Sequence, residues 1–187
     1  MTGSCFFAKL MFKEKLKKIR DELSKSKPGI RRFVRNSFII VICLWVMFTF
    51  IIGTQTVGTL DMSPALNMGD RIIYSRLDKK PAAHDVIVFK KDGNTCISRV
   101  IAVPGDTVEI TEDGGVKVNG NLLVEDNIYS QTYPYTEFLE YPLTLKEGEY
   151  FVLGDNRRTG VDSRYYGTVD ADDILGTLLM VIRNHNF

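Results

Sequence analysis

The sequence predicts a mostly β domain, an antiparallel sheet or barrel, behind one N-terminal transmembrane helix. Three observations lead there. Phe38–Ile52 is apolar apart from Thr49, and no charge falls between Arg35 and Asp61. From residue 71 onward, short runs rich in Val, Ile and aromatics alternate with turn residues, the texture of many short strands joined by short connections. No helical periodicity is sustained after residue 60.

Charge is distributed unevenly around the apolar run. Residues 1–37 carry eleven Lys/Arg against three Asp/Glu, residues 38–53 carry none, and residues 54–187 carry thirteen against twenty. A balance of +8 on one side and −7 on the other reads as a topology signal, with the basic end inside. A basic tail without base-reading residues binds nucleic acid weakly at best, so no nucleic-acid partner is expected. Within the tail, Lys9–Lys25 intersperses lysines with Leu10, Phe12, Leu16, Ile19 and Leu23. That spacing suits a basic amphipathic helix on an anionic leaflet, and equally a disordered charged tail. Pro28-Gly29 breaks the pattern, and Arg31, Arg32 and Arg35 follow.

Phe38–Ile52 alone is shorter than the ~20 residues that cross a bilayer core. Gly53–Leu60, also uncharged, is expected to complete the span. Two rivals fit less well. A cleaved signal peptide has a shorter basic region and a small-x-small site, which is missing here. A buried helix of a soluble protein does not explain the flanking arginines or the charge switch. Trp45 stands mid-run rather than in an interfacial belt. The expected organisation is therefore a basic cytoplasmic segment 1–36, an anchor 37–58 and an extracytoplasmic β domain 59–187, single-pass in a plasma membrane.

The expected strands are Arg71–Arg76, Asp85–Phe89, Thr95–Val103, Thr107–Thr111, Gly115–Val118, Tyr150–Leu153 and Leu178–Arg183. Lys91-Asp92-Gly93-Asn94, Pro104-Gly105-Asp106, Asp113-Gly114-Gly115 and Gly154-Asp155-Asn156 punctuate them. Asn119-Gly120 between Val118 and Leu122 is a strong hairpin signal. Tyr129–Tyr141 is aromatic and irregular, the composition of a long loop or an extended arm. Of Cys5, Cys43 and Cys96 only the last lies in the large domain, so no disulfide framework is possible there. Neither the cysteines nor His84 and His185 have metal-ligand spacing, so no metal and no cofactor is expected.

One stretch is chemically dense. Val57–Leu66 (V-G-T-L-D-M-S-P-A-L) places Thr59, Asp61, Ser63 and Pro64 within six residues, directly after the apolar run. Alone it reads as a polar connector with a turn at Ser63-Pro64. Two later segments change its meaning: Ile97–Asp106 (I-S-R-V-I-A-V-P-G-D) and Gly154–Arg164 (G-D-N-R-R-T-G-V-D-S-R).

In that order, after a membrane anchor, the three segments resemble the type I signal peptidases over roughly residues 38–187. The third segment is the most specific. The resemblance implies a serine nucleophile activated by a lysine base whose pKa burial depresses, with a hydroxyl and a backbone N–H stabilising the oxyanion. The nucleophile precedes Met-x-Pro, and Asp61 stands there. The lysine precedes Arg-Val, and Ser98 stands there. A serine that orients the lysine stands two before Asp-Ser-Arg, and Gly160 stands there. All three reacting positions are replaced. Thr59 keeps a hydroxyl at the oxyanion position, and Met62, Pro64 and Ile97 are implied to line the substrate groove. Arg99, Asp155, Asn156, Asp162 and Arg164 are implied to be structural. Asp162 and Arg164 are expected to pair with each other or with nearby groups, and Asp155-Asn156 to offer acceptors to loop amides.

The expectation is an inactive member of that family. It would bind an extended peptide or surface protein by strand addition, a pilin in surface-structure assembly or a secreted preprotein. Its size and single anchor resemble Gram-positive members. The alternatives are an active signal peptidase with divergent residues and a membrane protein without a ligand. Gly160 is expected to leave a restored lysine without its hydroxyl partner, unless that glycine serves a positive φ.

Overall fold

The computed structural model describes residues 13–21, 28–125, 128, 130–135 and 139–183. The chain divides into two compact units, Met1–Met47 and Phe48–Phe187.

In the first unit, residues 13–21 form helix α1, within the stretch whose spacing allowed either helix or tail; residues 9–12 and 22–25 of that stretch lie outside the described residues. Helix α2 is Pro28–Val46. A π-helical segment, Met47–Ile51, follows it in the chain, and its residues from Phe48 on belong to the second unit. Gly29–Ile51 is long and apolar enough to cross a membrane, at 23 residues and mean hydropathy 2.0. At ~1.5 Å per residue it is about 34 Å long, against a core of ~30 Å. Its apolar side chains are exposed, Phe38 at 65% and Trp45 at 63%.

The expected completion of the span by Gly53–Leu60 is corrected here. Residues Ile52–Thr56 are a strand, β1, paired antiparallel with β2 from Ile52↔Ser75 to Thr56↔Arg71. The helix gains its length at the other end, taking in Arg31, Arg32 and Arg35, whose long side chains can carry their charge to an interface. The physical reason is composition: Thr54, Gln55 and Thr56 are polar or β-branched, and a strand lets them pair and face water. Gly53 fits because the Tyr74 ring lies over it, where a Cβ would come within 2.1 Å of the ring.

The second unit contains two antiparallel sheets. The larger is ordered β1-β2-β11-β3-β4-β9-β10, with β2 Arg71–Ser75, β3 Val86–Lys91, β4 Asn94–Ala102, β9 Glu149–Leu153, β10 Val169–Asp170 and β11 Ile174–Ile182. The smaller is β7-β6-β5-β8, with β5 Thr107–Ile110, β6 Val116–Val118, β7 Asn121–Leu122 and β8 Leu143–Thr144. The Asn119-Gly120 hairpin forms with Val118 opposite Asn121 and both turn residues at positive φ, 53° and 79°. The seven expected strands are all present, with shifted ends. The short strands β7, β8 and β10 and the helical turns α3 (Ser163–Tyr166) and Ala171–Asp173 give too little periodic signal to be read from sequence. The described part of Tyr129–Tyr141 is irregular; Tyr129 and residues 136–138 lie outside the described residues.

Three apolar clusters hold this unit. Ile101, Ala102, Phe151 and Leu153 of the large sheet meet Val108, Ile110 and Val116 of the small one. Ile87, Phe89, Val100, Val152 and Ile174 form a second cluster. The third joins β2 and β3 to the loop after β1: Val57, Met62, Leu66, Ile72, Tyr74, Val86 and Val88.

Candidate functional site

The loop between β1 and β2 is pinned before it presents anything. Val57 N–H donates to the Asp70 carbonyl at 2.8 Å, and Gly69 N–H donates to the Val57 carbonyl at 2.9 Å. The Asp70 carboxylate accepts from Asn67 N–H at 3.0 Å. Met62 and Leu66 are the apolar anchors, 1% and 2% exposed. Met62, expected in the substrate groove, is thus a core residue. Fixing it in the core leaves Thr59, Leu60 and Pro64 exposed and Asp61 half-buried. Ile97 is half-buried and packs against the same apolar cluster.

The Gly154–Arg164 segment closes over Asp61. Asn156 N–H donates to the Asp61 carbonyl at 2.9 Å, and Asn156 Nδ2 donates to the Leu60 carbonyl at 3.3 Å. Asn156 therefore donates to the loop, where acceptors had been expected. Gly154 and Gly160 approach so closely that added Cβ atoms would meet the Asp61 carbonyl oxygen at 2.6 Å and the Asn156 carbonyl oxygen at 2.7 Å. Gly160 is not among the positive-φ glycines. Close backbone approach, rather than a left-handed conformation, demands glycine there.

Arginines brace this closure. Arg99 grips Asp155 with Nε to Oδ1 at 2.8 Å and Nη2 to Oδ2 at 2.6 Å, and donates from Nη1 to the His84 carbonyl at 3.0 Å. Asp155 is thus an ion-pair partner rather than a cap for loop amides. The hydrogen bond and charge of Asp155 together hold the Arg99 pKa above its usual value, against some desolvation. Arg164 grips Asp162 the same way, at 2.8 Å on both oxygens, as the sequence led us to expect. Asp162 also accepts from Gly154 N–H at 3.1 Å, and the Ser163 hydroxyl accepts from Val152 N–H at 3.0 Å. Arg157, absent from the expected site, is 2% exposed; its Nη2 donates to both Glu125 carboxylate oxygens at 2.7 and 2.6 Å, its Nη1 to Thr132 Oγ1 at 2.8 Å and its Nε to the Gly154 carbonyl at 2.9 Å. Its signal lay in the Gly-Asp-Asn-Arg motif. Glu125 gave none, because it lies 32 residues away.

Ser98 lies on β4 opposite Ile87, with Cys96 two residues before it opposite Phe89, so Ser98, Cys96 and Phe89 share one face of the sheet. Ser98 is 2% exposed. Over this face sits Tyr166, whose ring lies 6.2 Å from that of Phe89 and 5.3 Å from Lys91 Nζ. Burial pushes the Tyr166 phenol far above its usual pKa. Asp162, Cys96 and Asp61 act in the same direction, and the nearby Ser98 hydroxyl acts against them. Ser98 is close enough to be felt, yet the buried Tyr166 hydroxyl has no hydrogen-bond partner of regular geometry among the described residues. Burial, then the charge of Asp61, raises the Cys96 thiol. Ser98 and Cys96 thus share the face of the sheet over which Tyr166 sits, and the charge of Asp61 acts on that region. Sequence reasoning missed Tyr166 and Cys96 there, although Tyr166 stands two residues after the Asp-Ser-Arg motif.

Fold and site together define a class: two-sheet antiparallel β domains that follow an apolar helix long enough to cross a membrane, in which a loop and a strand meet beneath a braced turn. A family model for signal peptidase, peptidase S26, matches residues 30–183, and the chain belongs to that family. Curated relatives include a probable signal peptidase I-2 of Synechocystis, 31% identical over 68% of this chain and 62% of that protein. A probable chloroplastic thylakoidal processing peptidase 2 of Arabidopsis thaliana is 31% identical over 65% of this chain and 35% of that protein. Signal peptidase IB of Staphylococcus aureus strain Mu50 is 30% identical over 80% of this chain and 87% of that protein. The chain therefore spans less than two thirds of the first two relatives and most of the third. A crystal structure of a signal peptidase I from Enterococcus faecalis aligns with a TM-score of 0.48 and 38% identity, covering 55% of this chain and 99% of that one.

Proposed function

We propose that this member of the family binds an extended segment of a secreted or surface protein and leaves it uncut. The observation that carries the reading is the commitment of the carboxylates around Asp61. Aspartic catalysis needs a second carboxylate sharing a proton. Asp155 is held by Arg99, and Asp162, fully buried, is held by Arg164. Lys91, on the same face of the sheet as Ser98, donates to the Thr168 carbonyl at 3.1 Å rather than serving the loop. The side chain of Asp61 is a poor nucleophile toward an amide, and Ser98 cannot act as a base at neutral pH. The exposed side chains of Leu60 and Val161, both 55% exposed, flank Asp61 and Gly160 in sequence and supply apolar surface for a bound segment.

The full-length protein in detergent is expected not to cleave a preprotein that an active family member cleaves. Cleavage that Asp61→Ala abolishes would overturn the reading in favour of acid chemistry at Asp61. Partner identity belongs to the same proposal: a preprotein or a pilin during surface assembly, offered at a plasma membrane. The basic side of Gly29–Ile51 faces the cytoplasm and residues 52–187 lie outside. A protease added to intact cells is expected to digest the chain beyond about Thr56, where β1 ends. A C-terminal unit protected until the membrane is opened would refute that orientation.

A further inference from the structure

Helix α1 leaves an apolar stripe uncovered. Leu16 and Ile19 lie one turn apart and are 50% and 51% exposed. At about 100° per residue, the charged side chains sort around that stripe. Arg20 and Lys13 border it on one side and Lys15 on the other, while Glu14 and Asp21 fall roughly opposite. Residues 13–21 carry five Lys/Arg and two Asp/Glu, a balance of 5 − 2 = +3. Arg20 meets Asp21 only at 3.8 Å, with both side chains well exposed, so the pair holds the cation weakly. An apolar stripe bordered by cations, with acids on the far side, is the arrangement of a helix lying in a bilayer interface.

We infer that α1 lies along the anionic headgroups of the bilayer that α2 enters, with Leu16 and Ile19 among the upper acyl chains and Lys13, Lys15 and Arg20 on the lipid phosphates. The inference needs Gly29–Ile51 to cross the membrane and is independent of what the second unit binds. The chain itself selects this occupant. Asp21 and Pro28 are seven residues apart, at most about 25 Å of extended chain, so α1 stays close to the membrane surface. Two apolar side chains hold a free peptide weakly, but a tethered helix meets lipid at a high effective concentration. Charge then selects among lipids. Each Lys or Arg near an anionic surface adds attraction, and Arg31, Arg32 and Arg35 extend the positive segment into the start of the span. A nine-residue helix is marginal in water, so a surface that covers the stripe also keeps it folded. A nucleic acid would take the cations and leave the stripe bare.

The test places the full chain in nanodiscs of phosphatidylcholine, alone or mixed with anionic phosphatidylglycerol. Trp45→Phe removes the only tryptophan of the chain, and Ile19→Trp supplies a reporter on α1. In mixed discs the reporter is expected to be quenched by lipids brominated high on the acyl chain, and in neutral discs by acrylamide in the water. In the unsubstituted chain, amides of residues 13–21 are expected to exchange about tenfold or more slowly in the mixed discs. Raising salt to ~1 M, where the Debye length falls to ~3 Å, is expected to remove most of that difference. Lys13→Gln, Lys15→Gln and Arg20→Gln together are expected to abolish it, and Glu14→Gln with Asp21→Asn to preserve it. A reporter equally open to water in both discs overturns the inference and leaves the face to a protein or nucleic-acid partner. Equal burial in both discs, or a lipid preference that survives the triple substitution, also overturns it, because the cations then do not choose the lipid.

Discussion

Asp162→Ala is expected to destabilise the second unit by about 3–5 kcal/mol, the range for removing one partner of a buried ion pair. The Arg164 side chain is 1% exposed and that of Asp162 is 0% exposed, so the stranded guanidinium has no water to turn to. The same substitution takes the acceptor from Gly154 N–H and from Arg164 N–H. Losses of that size are a large fraction of the ~5–15 kcal/mol that holds a typical domain. Lys117 and Glu109 make a contrasting pair at 3.0 Å, with side chains 34% and 41% exposed, and Lys117→Ala should cost at most ~1 kcal/mol. Urea unfolding of the detergent-solubilised chain, followed by near-ultraviolet circular dichroism, gives both values. A second variant, Asp162→Ala with Arg164→Met, should recover part of the loss by removing the stranded charge. Near-identical costs for Asp162→Ala and Lys117→Ala would show that the buried pair contributes no more than a surface one. Because Gly154 lies against the Asp61 carbonyl, Asp162→Ala is also expected to loosen the loop that presents Asp61.

The double variant Asp61→Ser with Ser98→Lys is expected to remain at least about 10²-fold slower on a signal-peptide substrate than an active family member, the lower end of what a defective general base costs. A lysine at 98 enters a position that is 2% exposed, beside the Tyr166 hydroxyl and the Cys96 thiol. Inserting several methylenes into such a position typically costs about 1–3 kcal/mol. The serine that would orient this lysine is excluded for a separate reason. A Cβ at 160 would sit 2.7 Å from the Asn156 carbonyl oxygen, which already accepts from Gly160 N–H at 2.8 Å. That contact is backbone on backbone, so it cannot be relieved by turning a side chain. Adding Gly160→Ser to the double variant is therefore expected to lower stability rather than to raise the rate. The sequence alone had pointed the other way, toward rescue by that serine. Single-turnover cleavage with all three chains, each checked for folding, decides the matter. A triple variant that outpaces the double would show that the backbone yields at 160 and that a hydroxyl there orients the base.

Much of this protein is written in its sequence, because the signals are local. The apolar helix is visible in an uncharged run, and strands β2–β6, β9 and β11 are visible in β-branched and aromatic runs between turns. The Asn119-Gly120 hairpin needs only its own two residues. The three motifs that carry the family resemblance are also short and ordered, and the family match over residues 30–183 agrees with them.

Tertiary structure decided what depends on residues far apart. Ile52–Thr56 is apolar enough at its start to pass for membrane, and only pairing with β2 makes it a strand. Met62 looked like a groove residue, and the apolar cluster under the loop takes it inward. Asp155 could have capped a loop, and Arg99, 56 residues earlier, claims it. Gly160 owes its identity to the Asn156 carbonyl, and Tyr166 comes over the face of β3 and β4 that carries Phe89 and Ser98, although 68 residues separate it from Ser98. Periodicity and turn chemistry act over a few residues and are legible in order. Burial, ion pairing and close backbone approach act through space, and they exist only once the sheets have brought the segments together.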